Sequence, residues 1–316
     1  MSTRPFLIAL LFSTLAPFAS AQMGGQPGDY SRMGFGARGM GLGNAMTAVV
    51  SGDVTGYYNP AVIPLSTVRS ASASFGILSL DRQLNFLVLT LPLPPAAGVS
   101  AGIINSGVSN IDGRDADGEQ TGPMKTTEDQ AFLGFGLRIP KGLSIGINLK
   151  LYYYHLYTDM SSTTVGVDFG VLYALNGAWT VGFSVKDISS KYKWDSSVLY
   201  GEQGSAEVDR FPMLYTGGVA YSLPDSLGLI SADIEFTNVQ STTLRVGAEI
   251  AVIPEIGLRA GIDRIDLREK GTGIRPALGF TVREPLGSWT PAVNYAYVIE
   301  PFAPSGMHMI SLGIIF

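Results

Sequence analysis

Residues 305–316 read Ser-Gly-Met-His-Met-Ile-Ser-Leu-Gly-Ile-Ile-Phe, and this stretch decides the fold. His308, Ile310, Leu312, Ile314 and Phe316 form one set. Met307, Met309, Ser311, Gly313 and Ile315 form the other, at the period of two that puts alternate side chains on opposite faces of a strand. The strand runs to the last residue and ends on an aromatic. In a soluble sandwich it is an exposed apolar edge, which invites aggregation. In a transmembrane barrel it pairs with the first strand, and no edge remains. The barrel reading is preferred. Ile310, Leu312, Ile314 and Phe316 are then the expected signal for the barrel-assembly machinery.

The other end agrees. Residues 1–21 read as a secretory signal peptide: Arg4, the apolar run Phe6–Leu15, and Ala19-Ser20-Ala21 before Gln22. The apolar run is shorter than the ~20 residues of a membrane-spanning helix. No Cys follows it to carry a lipid, and no Cys occurs anywhere, so neither disulfides nor thiolate metal sites are expected. This places the chain in the bacterial outer membrane, in contact with its lipid. Hydrophobic residues make up 46% and charged residues 15%, yet past the leader no run is long enough for a spanning helix. Apolar residues spread over many alternating strands reconcile the two. A pI near 5.1 argues against nucleic acid as a partner.

Fourteen alternating stretches are expected as strands, at roughly 68–78, 83–91, 97–106, 127–139, 142–155, 161–174, 178–188, 210–222, 228–238, 241–252, 255–264, 272–283, 288–299 and 305–316. Leu143, Ile145, Ile147, Leu149, Leu151 and Tyr153 should face lipid. Ser144, Gly146, Asn148 and Lys150 should face the lumen. Every second connection is short, as periplasmic turns are. The longest, Gly107–Thr126 and Ser189–Asp209, fall in the opposite set. An antiparallel transmembrane β-barrel over 68–316, preceded by a distinct segment over 22–67, is therefore the expected architecture.

The same parity puts Arg138, Lys150, Asp168, Lys186, Asp233, Glu235, Arg245, Glu249, Arg259, Asp263, Arg275 and Arg283 inside the barrel. Both signs occur on neighbouring strands. A paired network bracing the interior is the preferred reading, since isolated buried charges are costly. A polar translocation path is the other.

Residues 22–67 do not alternate. They hold Gly34-Phe35-Gly36-Ala37-Arg38-Gly39-Met40-Gly41-Leu42-Gly43-Asn44-Ala45 and then Tyr57-Tyr58-Asn59-Pro60-Ala61, where Asn-Pro signals a turn. This segment resembles the N-terminal region of the FadL-like outer-membrane superfamily, most closely its PorV/PorQ branch. The resemblance implies a fourteen-stranded barrel with the segment as a hatch in the lumen, through Gly36, Arg38, Gly39, Gly41, Gly43, Asn44, Asn59, Pro60 and Ala61. It also implies a type IX secretion-associated protein that binds secreted cargo C-terminal domains or surface-attachment partners. The alternative it carries is a channel for hydrophobic small molecules such as fatty acids or hydrocarbons. This chain is shorter than FadL-type fatty-acid transporters, with smaller loops.

Enzymatic chemistry finds little support. Gly34–Gly39 matches G-x-G-x-x-G but lacks a preceding buried strand. Gly98–Gly102 matches G-x-S-x-G, yet Ser100 lies in a continuing alternation rather than at a strand-to-helix turn. With two His and no Cys, no cofactor or metal is expected. Asp112–Glu119 reads as a solvated acidic loop. Lys191-Tyr192-Lys193-Trp194 reads as an interfacial aromatic anchor or a partner-docking patch.

Overall fold

The computed structural model describes residues 25–316 other than 52–54, 116, 158, 240 and 268–272, so the leader peptide lies outside the described residues. Fourteen antiparallel strands close into one barrel. They are β1 (Ser70–Ile77), β2 (Arg82–Leu93), β3 (Ala97–Arg114), β4 (Gln120–Ile139), β5 (Leu143–Tyr157), β6 (Met160–Ala174) and β7 (Trp179–Ile188), then β10 (Leu214–Ser222), β11 (Gly228–Thr237), β12 (Thr242–Ile253), β13 (Ile256–Asp266), β14 (Arg275–Arg283), β15 (Thr290–Val298) and β16 (Met307–Ile315). The C-terminal strand closes the sheet: β16 pairs with β1 from Ser70↔Ile315 to Ile77↔His308, and the Phe316 amide donates to the Arg69 carbonyl at 3.0 Å.

Burial is inverted relative to a water-soluble protein. On β5 the outward Ile147 and Leu149 are 40% and 56% exposed, while inward Ser144, Asn148 and Lys150 are buried. On β16, Ile310 and Leu312 point out, and Met307, Met309 and Ser311 point in. Apolar groups outside and polar groups inside suit a wall whose solvent is hydrocarbon.

The expected strand order holds throughout, with two corrections at the end that carries the longer connections. Residues 107–126 are not a loop. β3 and β4 continue there as a paired hairpin to Gly113↔Gly122, because Ile111 and Met124 sustain a ladder beyond the barrel rim. Beyond it the Asp115 amide donates to the Glu119 carbonyl at 3.0 Å, and Arg114 bonds to Asp112. Residues 189–209 likewise hold a hairpin of their own, β8 (Lys191–Asp195) with β9 (Ala206–Arg210).

Candidate functional site

The interior is occupied by residues 28–51 and 55–65, which follow no alternation because most of them pack on all sides. A short helix α1 (Gly36–Gly41) and a 3-10 turn (Pro60–Leu65) are their regular elements beside the helical turn Thr55–Tyr58. Asn59 caps the Pro60 turn by accepting from the Ala61 amide at 3.0 Å, which is why Asn-Pro starts it.

These residues meet the barrel wall in two different ways. Against β11–β14 and β16 they meet charges and hydrogen-bonding groups. Arg38 forks onto Glu249 with Nε–Oε2 at 3.0 Å and Nη2–Oε1 at 2.9 Å. Asn44 donates to Asp263 at 3.0 Å, and the Thr47 amide donates to Asp233 at 2.9 Å. The Ala37 amide donates to Ser311 at 2.8 Å. Behind that layer, Arg245 bridges Glu235 and Asp263 at 2.8 Å each, and Arg275 joins Asp263 at 3.6 Å to Glu300 at 3.1 Å. Arg259 lies 3.4 Å from Glu249.

Against β4–β7 the closest approaches are at glycine, beside hydrogen bonds from Asn148 to the Gly56 carbonyl at 3.1 Å and from Thr180 to the Ala48 carbonyl at 2.7 Å. A Cβ on Gly146 would collide with the Pro60 carbonyl, and one on Gly170 with the Asn59 side chain. The wall is glycine where the Asn59–Ala61 turn touches it. Gly43 meets β13 in the same manner, with φ +61° and no room between it and the Ile262 backbone. Asn59 also donates to the Thr47 carbonyl at 2.8 Å, tying the two halves of the segment together.

Ten of the twelve charges and all nine N-terminal motif residues anticipated from sequence are inside the barrel. Arg138 and Arg283 are exposed near the short-turn end, although Arg138 still reaches the Pro64 carbonyl at 3.0 Å. The interior charges do not form one network. Lys150 makes a separate cluster with Asp168 at 2.8 Å and Asp187 at 3.0 Å, to which Tyr152 also bonds.

Asp187 was not anticipated. Strand parity with Lys186 assigns it to the lipid face. A bulge, with Asp187 at φ 60° and Ser189 at φ 64°, turns it inward, where its amide donates to Asp168 at 3.0 Å. A carboxylate in the apolar set of a spanning strand was the available signal. Lys186 lies over the Tyr57 ring at 4.7 Å and the Tyr58 ring at 5.4 Å, so these two tyrosines are further unforeseen anchors. Tyr58 is held in turn, donating to Asn44 at 2.7 Å and accepting from the Phe35 amide at 2.8 Å.

At the long-connection end a cavity of about 590 Å³ remains. Asp29–Met33 contribute to it from below; Leu78, Leu80, Val108 and Phe302 give it apolar wall, and paired charges such as Arg275–Glu300 give it polar wall. The β8–β9 hairpin folds back beside this mouth. Tyr192 is 1% exposed, meets Phe211 edge-to-face at 4.9 Å and reaches Glu128 at 3.4 Å, so it is not a free docking side chain. Burial and the neighbouring Glu128 charge push its phenol above the ordinary tyrosine range. Ser100 sits mid-strand in β3, sharing a hydrogen bond of 3.0 Å with Thr90, with no turn to expose it as a nucleophile.

The fold defines a fourteen-stranded transmembrane β-barrel with an occupied lumen. Among solved structures it is similar to the toluene transporter TodX of Pseudomonas putida (12% identity, TM-score 0.62, covering 89% of this chain and 96% of that one). It is similar to the monoaromatic hydrocarbon channel CymD (12%, TM-score 0.65, covering 90% and 97%) and to a FadL homologue of Pseudomonas aeruginosa (12%, TM-score 0.60, covering 90% and 98%). At this identity the likeness is one of fold. No protein-family model and no curated protein matches the sequence.

Proposed function

We propose that the protein is a bacterial outer-membrane channel for hydrophobic small molecules, not an enzyme, with residues 22–67 as a hatch. The observation that carries this reading is the mouth cavity. Its volume falls in the ~300–1,000 Å³ range of small-molecule sites, and an apolar wall of Leu78, Leu80, Val108 and Phe302 stands beside charged side chains of both signs, several of them paired. Solved barrels of like fold are named as toluene and monoaromatic hydrocarbon transporters, which favours this reading over cargo docking for secretion. The short-turn end, where both β1 and β16 have their termini, is periplasmic in this reading. The cavity then faces outward and the Asn59-Pro60 turn blocks the way below.

The test is uptake of radiolabelled toluene into cells producing the protein. Asn59→Ala and Pro60→Ala should change uptake while shortening the β8–β9 hairpin leaves the barrel intact. Loss of surface-attached secreted proteins on shortening the hairpin, with toluene uptake equal to that of cells lacking the barrel, would favour the secretion-associated reading instead.

A further inference from the structure

A row of polar side chains crosses the outside of the barrel where the wall should be apolar. Asn85 of β2, Asn105 of β3 and Asp129 of β4 are direct cross-strand partners. Their parity is that of the exposed, lipid-facing Leu87, Ile103 and Leu133, while Leu84, Ile104 and Gln130 beside them are fully buried inside. They bond to one another: Asn85 Nδ2 to Asn105 Oδ1 at 3.3 Å, and Asn105 Nδ2 to Asp129 Oδ1 at 2.7 Å. Thr127 joins the end, accepting from Asn105 at 3.2 Å and donating to Asp129 at 3.3 Å. Tyr153, paired with Asp129 across β4–β5, presents its ring on the same face.

The height of the row matters. It lies eight residues along each strand from the row Leu93, Ala97 and Leu137 beside the short-turn end. At ~3.3 Å per residue and a strand tilt of ~35–45° that is about 20 Å, inside the outer edge of an apolar band ~25 Å tall. Unsatisfied polar groups at that depth are costly. Among the described residues the Asn85 carbonyl oxygen accepts no hydrogen bond, each Asp129 oxygen accepts only one, and Asp129 has no salt bridge. The row is thus rich in acceptors and carries an uncompensated negative charge. That composition repels phosphate and accepts hydroxyl donors. Strand spacing of ~4.8 Å spreads the groups over about 10 Å, the extent of a disaccharide rather than of a single ammonium.

We infer that the outer face of β2–β4, through Asn85, Asn105, Thr127 and Asp129 with Tyr153, holds the sugar headgroup of an outer-leaflet glycolipid. The site rests on the membrane sidedness proposed above but not on what passes through the lumen. Sugar hydroxyls donate to Asp129 and Asn85, and the acyl chains continue down over Leu87, Ile103 and Leu133.

The purified barrel is reconstituted in nanodiscs of phosphatidylethanolamine and phosphatidylglycerol containing a minor fraction of a phosphate-free diglycosyl diacylglycerol. Glycolipid retained on extraction is counted by native mass spectrometry. Losing hydrogen bonds to a charged acceptor is worth ~1.5–3 kcal/mol, so Asp129→Leu should retain about tenfold less glycolipid. Asn85→Ala, which leaves the carboxylate in place, should reduce it by a smaller factor and serves if the first variant does not fold. Equal retention by the wild type and both variants overturns the site, as does equal retention of phosphatidylethanolamine. Full competition by the soluble disaccharide alone would show a free-sugar site and likewise overturn the lipid assignment. Toluene uptake unchanged in Asp129→Leu separates this result from the channel reading.

Discussion

The two walls that grip residues 28–51 and 55–65 differ in kind. Where Gly146 and Gly170 of the β4–β7 wall meet the Asn59–Ala61 turn, the contact is steric and indifferent to salt or proton concentration, although Lys186 lies over Tyr57 and Tyr58 nearby. The β11–β14 wall offers Asp233, Glu249 and Asp263 and receives Arg38, Asn44 and the Thr47 amide. Buried ion pairs owe much of their energy to each partner's presence, because a charge left alone in a poorly solvated interior is worse than no pair. The charged wall is therefore the side from which the segment can be released by changing a partner. The glycine wall sets its position.

The largest effect should come from breaking the charged wall. Asp263→Ala strips a partner from Arg245, Arg275 and Asn44 at once. A loss of about 3–5 kcal/mol is expected in urea titrations of the barrel in lipid vesicles, with increased protease cleavage within residues 28–65. Unchanged cleavage would mean that the charged wall does not hold the segment.

Next comes the outside of the glycine wall. Ile147→Lys puts an ammonium group toward the bilayer centre, at about 2–4 kcal/mol in the same titration. Gly146→Lys, one residue away but inward, should act by displacing Pro60 instead. The two should differ in cleavage of the N-terminal segment, which only the inward change exposes. Identical cleavage would undo the in/out assignment of β5.

A smaller loss, about 1–3 kcal/mol, is expected for Gly146→Ala, whose single methyl meets the Pro60 carbonyl. Its cost should not vary between 50 mM and 500 mM salt, whereas that of Glu249→Gln should, because screening acts on charge and not on steric contact.

The smallest effect lies beyond both walls. Asp195, at the tip-side end of β8, is held below the usual carboxylate range by hydrogen bonds from the Ser197 hydroxyl and amide. A depressed folded-state pKa stabilises above the unfolded value of about 3.9 and is lost as pH falls through the lower one. Protection of the Ser197 amide from hydrogen exchange should accordingly fade only below about pH 4, with the barrel strands unaffected.

Much of this was legible from residues alone, for physical reasons that can be named. Period two in Leu143–Tyr153 assigns faces because a strand has only two, and chain chemistry says which is wet. The interior residues from Lys150 to Arg275 followed from the same parity. Asp187 did not, since a bulge shifts parity by one without changing composition. The N-terminal segment announced itself only by failing to alternate. Its glycines said that something approaches closely, but not that Gly146 and Gly170 on the wall would be the surfaces approached.

Residue chemistry by itself determined that this chain makes a membrane-spanning barrel of fourteen strands with charges inside, since alternation, turn residues and the terminal strand are local properties. Tertiary structure alone decided which carboxylate holds which guanidinium, and that Tyr192 is buried. It also decided that Asn85, Asn105 and Asp129 stand side by side on the outer wall. Those pairings join strands through register and closure, and no local pattern encodes a distance between residues that meet only when the sheet curls shut.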